Sequence, residues 1–221
     1  MIKTKGLMKF EEFKKIVPLI QEFSLEKLDS HQKMEPEFRR NLLKNHRDYS
    51  SMTPKKAAVL MLIFPKNEEA HIVLIVRKKS PDIHSSQMAF PGGKHEEADD
   101  NYDETALRET FEEIGVHQYR VSMLRQFSEV YIPVSNFLVY PFLGIAKTEP
   151  AFSICPDEVE SIVEIPLKMV LDNQYLTTVR IDTSYAQEVD VPAFKFGPYV
   201  VWGATAMMLR ELKDTIEDLI P

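Results

Sequence analysis

The chain has 221 residues, 44% of them hydrophobic and 28% charged, the make-up of one globular domain with a full core. It holds no apolar run of 18 residues or more, and its opening MIKTKGLMKFEEFKK has no apolar centre, so neither a membrane span nor a signal peptide is expected. A single cysteine, Cys155, excludes an intramolecular disulfide and a multi-cysteine zinc site, and a net charge of −7 argues against a general nucleic-acid binder; a cytoplasmic protein fits.

In chain order, Phe10, Phe13, Ile16, Val17, Ile20 and Phe23 recur at three- and four-residue spacing and predict a first helix. A second helix is expected over 37–44, and the polar run 46–54, closed by Pro54, reads as a linker. The texture then changes. AAVLMLIF (57–64) and HIVLIV (71–76) are short, β-branched apolar runs joined by a polar turn over 65–70, a hairpin pattern. Their unbroken apolar character suggests strands covered on both faces. Further strands are expected over 121–128, 137–146, 159–165, 177–182 and 189–196, with a closing helix from about Gly203. Trp202 is expected to anchor that helix, and Cys155 to be inert. Strands mixed with a few helices give an α/β or α+β fold, helices on a mixed sheet.

The segment 101–114 predicts a helix with an unusual charge pattern. Asp99, Asp100, Asn101 and Asp103 suit its N-terminus, and Gly115 stands where a closing glycine belongs. At 100° per residue, Leu107, Phe111 and Ile114 fall on one side. Glu109, Glu112 and Glu113 fall on the other, within an arc of about 100°. Like charges so spaced repel by a few tenths of a kcal/mol per pair. Arg108, four residues from both Glu104 and Glu112, offsets part of that. Such a face is ordinarily just solvated. The alternative is a divalent-cation site, because a hard cation turns the repulsion of carboxylates into shared attraction. FPGGK (90–94) leads towards the helix, and its glycine pair, Gly92 and Gly93, lets backbone approach a ligand closely.

Taken together, the glycine pair, the acidic loop, Arg108-Glu109, Glu112-Glu113 and Gly115-Val116 resemble the Nudix box, G-x5-E-x7-R-E-U-x-E-E-x-G-U, where U is apolar. Thr110 takes the first U position. Gly93 to Arg108 is one residue longer than the general box, and Asp99 or Asp100 stands where the box has its isolated glutamate. The longer loop is similar to the coenzyme A pyrophosphatase subgroup. VLIVRKKSPDIHSSQMAFPGG (73–93) also resembles that subgroup's upstream motif, with Ile75 for its threonine, Ser86 for its glycine and no arginine between Ser80 and Phe90. YIPVSNFLVYPFLG (131–144), DEVESIVEIPL (157–167) and VWGATA (201–206) extend the likeness over roughly residues 55–215.

The resemblance implies a Nudix α/β/α sandwich around a mixed sheet over 55–221, preceded by a helical extension, 1–50. It implies metal-dependent hydrolysis of a nucleoside diphosphate linked to another moiety. For CoA or acyl-CoA the products are 3′,5′-ADP and (acyl-)4′-phosphopantetheine. Glu109 and Glu113 would hold Mg²⁺ or Mn²⁺ directly, with Glu112 close behind and Gly93 offering its carbonyl. Arg108 would orient the carboxylates. The general base stays open among Glu96, Glu97 and the helix glutamates. Arg77, Lys78 and Lys79 would meet the diphosphate or the 3′-phosphate, or else form a solvated strand end. His84 is balanced between loop hydrogen bonding and substrate contact. The partner implied is a small CoA-like nucleotide, with no nucleic acid and no membrane; oligomeric state, a homodimer included, is open. Two rivals stand: a Nudix enzyme for ADP-ribose or another dinucleotide, and a catalytically silent Nudix-fold binding module.

Overall fold

A computed structural model of the chain describes residues 8–37, 39, 53–78, 87–182 and 188–220. The predicted hairpin is present and longer than expected. β1 (Lys55–Lys66) and β2 (Glu69–Arg77) leave only Asn67 and Glu68 between them. Both take positive φ, 49° and 66°, the conformation that a two-residue hairpin turn requires. Leu60 to Phe64 and Ile72 to Ile75 are fully buried, as strands covered on both faces should be.

These strands centre an eight-stranded mixed sheet. β3 (Met88–Ala89), β2, β1, β7 (Phe137–Ala146) and β5 (Val121–Gln126) run in that order. β4 (Gly92–Lys94) pairs with β1, β6 (Val130–Ile132) with β7, and β8 (Val159–Pro166) with β2. Among the described residues, only the β1–β7 pair of this sheet is parallel. A second, antiparallel sheet is built from β9 (Leu176–Ile181), β10 (Val189–Phe196) and β11 (Tyr199–Trp202). The strands expected over 137–146 and 189–196 match to the residue. The short β3, β4, β6 and β11 were not expected, because two to four residues carry no periodicity to read.

Helices cover both faces of the large sheet. α1 (Phe10–Glu22), α2 (Ser30–Lys33), α4 (Leu167–Leu171) and α5 (Gly203–Leu219) lie on one side, and α3 (Tyr102–Ile114) on the other. The result is the expected mixed α+β sandwich. The second helix foreseen over 37–44 lies mostly outside the described residues, as does the foreseen linker; α2 comes earlier, at Ser30–Lys33.

α1 does not stand apart from the rest. Phe10, Phe13, Ile16 and Ile20 belong to the same buried cluster as Met61, Leu143 and Leu212. Its last turn carries no basic residue, so its carbonyls are capped from outside. Arg125 of β5 donates Nη1 to the carbonyls of Ile20 (2.8 Å) and Phe23 (2.6 Å). We propose the division into 1–50 and 55–221 as one of chain order, with the extension sharing the domain's core.

Candidate active site

α3 is capped as its sequence demands. The Asn101 side chain accepts the Glu104 N–H at 2.9 Å, and Gly115, at φ 75°, closes the other end. The helix is seated by Tyr102, whose ring stacks on Tyr140 of β7 at 4.0 Å. Its buried residues are Thr105, Ala106, Thr110, Glu113 and Ile114. The predicted apolar side holds at Ile114, which is fully buried, and at Leu107, which packs on the same core, but Phe111 is 44% exposed and lies against His117, and Glu113 is only 1% exposed. Pattern reading puts apolar residues in and charges out, and here a carboxylate is buried because the backbone of β4 has a donor waiting for it.

That donor is Gly92. Its N–H gives a 2.8 Å hydrogen bond to Glu113 Oε2. Gly92 holds φ 149°, and a Cβ there would fall 2.3 Å from the Ala58 carbonyl oxygen, so only glycine brings the backbone in. At Gly93 a Cβ would stand 2.4 Å from the carboxylate carbon of Glu109. The glycine pair thus makes the floor on which both glutamates rest. Arg77 reaches the other oxygen, with Nη1 3.3 Å from Glu113 Oε1. The pairing of β2 with β8 slips between Val76 and Arg77, an irregularity of the kind that re-aims a strand-end side chain.

Arg108 fastens the other side. Its Nε and Nη2 donate to the two oxygens of Asp99 at 2.8 and 3.0 Å, and Nη2 also donates to the Lys94 carbonyl at 3.0 Å. Nη1 donates to Glu109 Oε1 and Glu112 Oε2, both at 3.0 Å. The expected pairing with Glu112 is present. The one with Glu104 is not, since the Glu104 carboxylate accepts the Asp100 N–H at 2.7 Å. Asp99, not Asp100, is the acid of the loop that matters. It also accepts from the Glu96 N–H and the Thr105 hydroxyl. Those donors hold its carboxyl well below the usual range, Arg108 first among them, and Asp99 in turn raises Arg108. Asp99→Asn should therefore cost on the order of 2–4 kcal/mol at pH 7, somewhat below the ~3–5 kcal/mol of a fully buried pair because Arg108 is 23% exposed. A carboxyl lowered on folding stabilises above its unfolded pKa. The deficit should shrink as pH falls below about 4, where the unfolded chain takes up the proton while the folded carboxylate still resists it. Denaturant melts at pH 7 and pH 3 check this; an equal deficit at both rules it out.

The charges here do not cancel. Burial, then Glu109 and Glu158, push Glu113 up to about 7 against the pull of Gly92 and Arg77. Burial also raises Glu109, despite Arg108. An all-oxygen donor set with surplus negative charge on one helix face fits a hard divalent cation, and Glu109, Glu113, Glu112 and the Gly93 carbonyl are the groups that could hold it. Among the described residues, no three acidic, His or Cys side chains already converge closely enough to bind an ion. Arg108 holds Glu109 and Glu112, while Gly92 and Arg77 hold Glu113, so loading requires these side chains to turn.

Of the remaining expected site residues, Lys78 donates to the Pro156 carbonyl at 2.7 Å and lies 3.7 Å from Asp157. Lys79 and His84 lie outside the described residues. Glu96 and Glu97 are exposed on the loop before α3. Sequence does not separate Asp99 from Asp100, and it marks Glu158 only as one residue of the stretch 157–167, not as a site residue.

The NUDIX domain model matches residues 54–182, more than half of the chain. The chain belongs to the Nudix hydrolase family. Members of this family generally need a divalent metal ion and take small nucleotide-like substrates. Curated relatives include Nudix hydrolase 22, chloroplastic, of Arabidopsis thaliana, 33% identical over 71% of this chain and 53% of that protein. The peroxisomal coenzyme A diphosphatase ndx-8 of Caenorhabditis elegans is 30% identical over 72% of this chain and 67% of its own length. The mitochondrial coenzyme A diphosphatase NUDT8 of Homo sapiens is 30% identical over 70% and 66%. This Nudix chain thus spans between about half and two thirds of these relatives. Two solved structures share the fold. A Nudix hydrolase from M. smegmatis, RenU, is 14% identical with a TM-score of 0.52, over 76% of this chain and 88% of that one. A MutT/nudix family protein from Enterococcus faecalis is 17% identical with a TM-score of 0.53, over 96% and 76%. Among the described residues no helix is long and apolar enough to cross a membrane.

Proposed function

We propose that this chain hydrolyses the diphosphate of CoA or acyl-CoA, giving 3′,5′-ADP and (acyl-)4′-phosphopantetheine. The observation that carries the reading is the buried Glu113–Gly92 contact within a Nudix box. It holds a buried carboxylate against a glycine floor beside Glu109, where a divalent cation would offset the charge of a diphosphate. Two relatives named as coenzyme A diphosphatases, each 30% identical, support CoA as the substrate.

A diphosphate resists water because its oxygens repel nucleophiles. Bound Mg²⁺ or Mn²⁺ would offset that charge and lower the pKa of a water. We assign Glu109 and Glu113 to hold it, assisted by Glu112 and the Gly93 carbonyl. The chain's own residues do the positioning. Asp99 fixes Arg108, and Arg108 sets the rotamers of Glu109 and Glu112. Arg77, half exposed beside Glu113, can exchange that carboxylate for a substrate phosphate oxygen when a cation takes Glu113. Lys78 donates to the Pro156 carbonyl at 2.7 Å and lies 3.7 Å from Asp157, whose side chain is 92% exposed, surface contacts that a phosphate can displace. We assign Lys78, with Lys79 next to it in sequence, to the diphosphate or the 3′-phosphate, and His84 to substrate contact.

The test is incubation with CoA, 3′-dephospho-CoA, ADP-ribose and NADH, with Mg²⁺ or Mn²⁺, and identification of products by chromatography. CoA should be preferred over 3′-dephospho-CoA by roughly 10- to 150-fold, the worth of one charge-assisted phosphate contact. Replacing Lys78 and Lys79 with alanine should narrow that gap. Equal cleavage of the two substrates refutes 3′-phosphate recognition. ADP-ribose as the better substrate removes the CoA reading and leaves the hydrolase. No cleavage of any of them favours a silent binding module.

A further inference from the structure

We propose that His95 and Thr105 are positioning residues for the cation site, acting on Glu109 and Glu112 through Asp99 and Arg108. The inference rests on the reading of those glutamates as cation ligands, and deepens it. Thr105, Arg108, Glu109 and Glu112 stand at i, i+3, i+4 and i+7 on α3 and share one face. Thr105, at the N-terminal end of that row, is fully buried. Its hydroxyl oxygen lies 2.8 Å from Asp99 Oδ2, 3.2 Å from the Asn101 carbonyl and 2.8 Å from His95 Nδ1. A hydroxyl has one proton to give. The Asn101 carbonyl already accepts the Thr105 N–H at 3.2 Å, and a carboxylate is the stronger acceptor, so that proton goes to Asp99. His95 Nδ1 is then the donor to Thr105. The hydrogen bonds run one way, from His95 to Thr105 to Asp99, and Asp99 receives Arg108.

His95 is itself anchored to the sheet. Its N–H donates to the Lys56 carbonyl of β1 at 3.0 Å, and its ring meets the Tyr102 ring edge-on at 4.9 Å. The relay therefore starts on the sheet and ends on the face of α3. Its effect falls on Arg108. In the metal-free chain, Nη1 is shared by Glu109 and Glu112. When a cation takes those carboxylates, Nη1 loses both acceptors, and Asp99 with the Lys94 carbonyl must keep the guanidinium in place. An Asp99 fixed by Thr105 lets the glutamates turn to the ion while Arg108 stays still. Without the Thr105 proton, Asp99 keeps only the Glu96 N–H besides Arg108 itself. His95 Nδ1, 3.6 Å from Asp99 Oδ2, is too far to replace it. The Asp99–Arg108 pair can then shift with the glutamates and compete with the ion for them.

Substrate-free Mn²⁺ binding to the full chain tests this, measured by calorimetry and by the loss of the free-ion EPR signal. Thr105→Val keeps the shape and removes the hydroxyl, and should weaken Mn²⁺ binding by roughly tenfold. Thr105→Ser, which returns the hydroxyl, should restore most of it. His95→Phe keeps a ring against Tyr102 without a donor and should also weaken binding, whereas His95→Asn, whose amide can donate to Thr105, should recover it. Thermal melts of the metal-free variants read folding separately. If Thr105→Val does not fold, the two His95 variants decide, since that side chain is 28% exposed and its replacement spares the core. Equal weakening by valine and serine at 105, or by phenylalanine and asparagine at 95, means packing and not hydrogen bonding, and overturns the proposal. Wild-type affinity in Thr105→Val and His95→Phe, with affinity lost in Glu109→Gln, overturns the relay and leaves the ligands standing. Wild-type affinity in Glu109→Gln and Glu112→Gln removes the underlying reading, and the relay with it.

Discussion

Glu113→Gln should lose at least two to three orders of magnitude in turnover while keeping the fold, the loss expected when several kcal/mol of charge stabilisation are removed. Glutamine matches the volume and still offers an oxygen to the Gly92 N–H, so the packing survives; what goes is the charge. The same variant should be more stable than the wild type without metal. Glu113 titrates at about 7 in the fold against an ordinary 4.5, chiefly because it is buried. A carboxyl raised on folding contributes its full stability below the unfolded pKa and loses it as pH rises through the folded one. The metal-free wild type should therefore lose on the order of 3 kcal/mol between pH 4.5 and above pH 7 through this group. Glu113→Gln should lack that component. Urea melts in EDTA at pH 5 and pH 8, beside steady-state assays in Mn²⁺, give both readouts. Turnover near the wild-type value would end the metal assignment, and a pH dependence unchanged by the substitution would end the claim of a costly buried charge.

Removing residues 1–50 should abolish folding of the remaining chain. Phe10, Phe13, Ile16, Ile20 and Met34 are all at most 4% exposed within the shared core. At about 1.5–3 kcal/mol for each buried side chain, their loss approaches 10 kcal/mol. That is comparable with the entire stability of an ordinary domain. Deletion also strips Arg125 of the two carbonyls that satisfy it, leaving a partly buried guanidinium without those acceptors. The expected result is a fragment 51–221 with no cooperative thermal transition. A sharp melt within a few degrees of the full chain would mean that 55–221 is self-sufficient and 1–50 a dispensable extension.

What was legible in the sequence, and what was not, divides along physical lines. Signals that act within a few residues could be read directly. Asn101 and Gly115 end α3, the glycine pair precedes it, and the apolar runs of β1 and β2 flank a short polar turn. These local preferences, with the spacing of Arg108, Glu109, Glu112 and Glu113, determined the family and the class of chemistry. Tertiary structure alone decided the two exceptions to the helix's amphipathic pattern: Phe111 is exposed and Glu113 is buried. A hydrogen bond from Gly92, supplied by another element, meets the Glu113 carboxylate inside. Tertiary structure also decided between Asp99 and Asp100, which are equivalent in composition and differ only in which one Arg108, Thr105 and the Glu96 N–H can reach together. The turn before β8 is joined to the end of α3 by hydrogen bonds from the Ser153 and Cys155 N–H groups to the Ile114 and Glu113 carbonyls, a contact across about 40 residues that local patterning does not report. Periodicity and spacing report forces between near neighbours in the chain, whereas a site assembled from three elements depends on electrostatics between groups that only the packed sheet brings together.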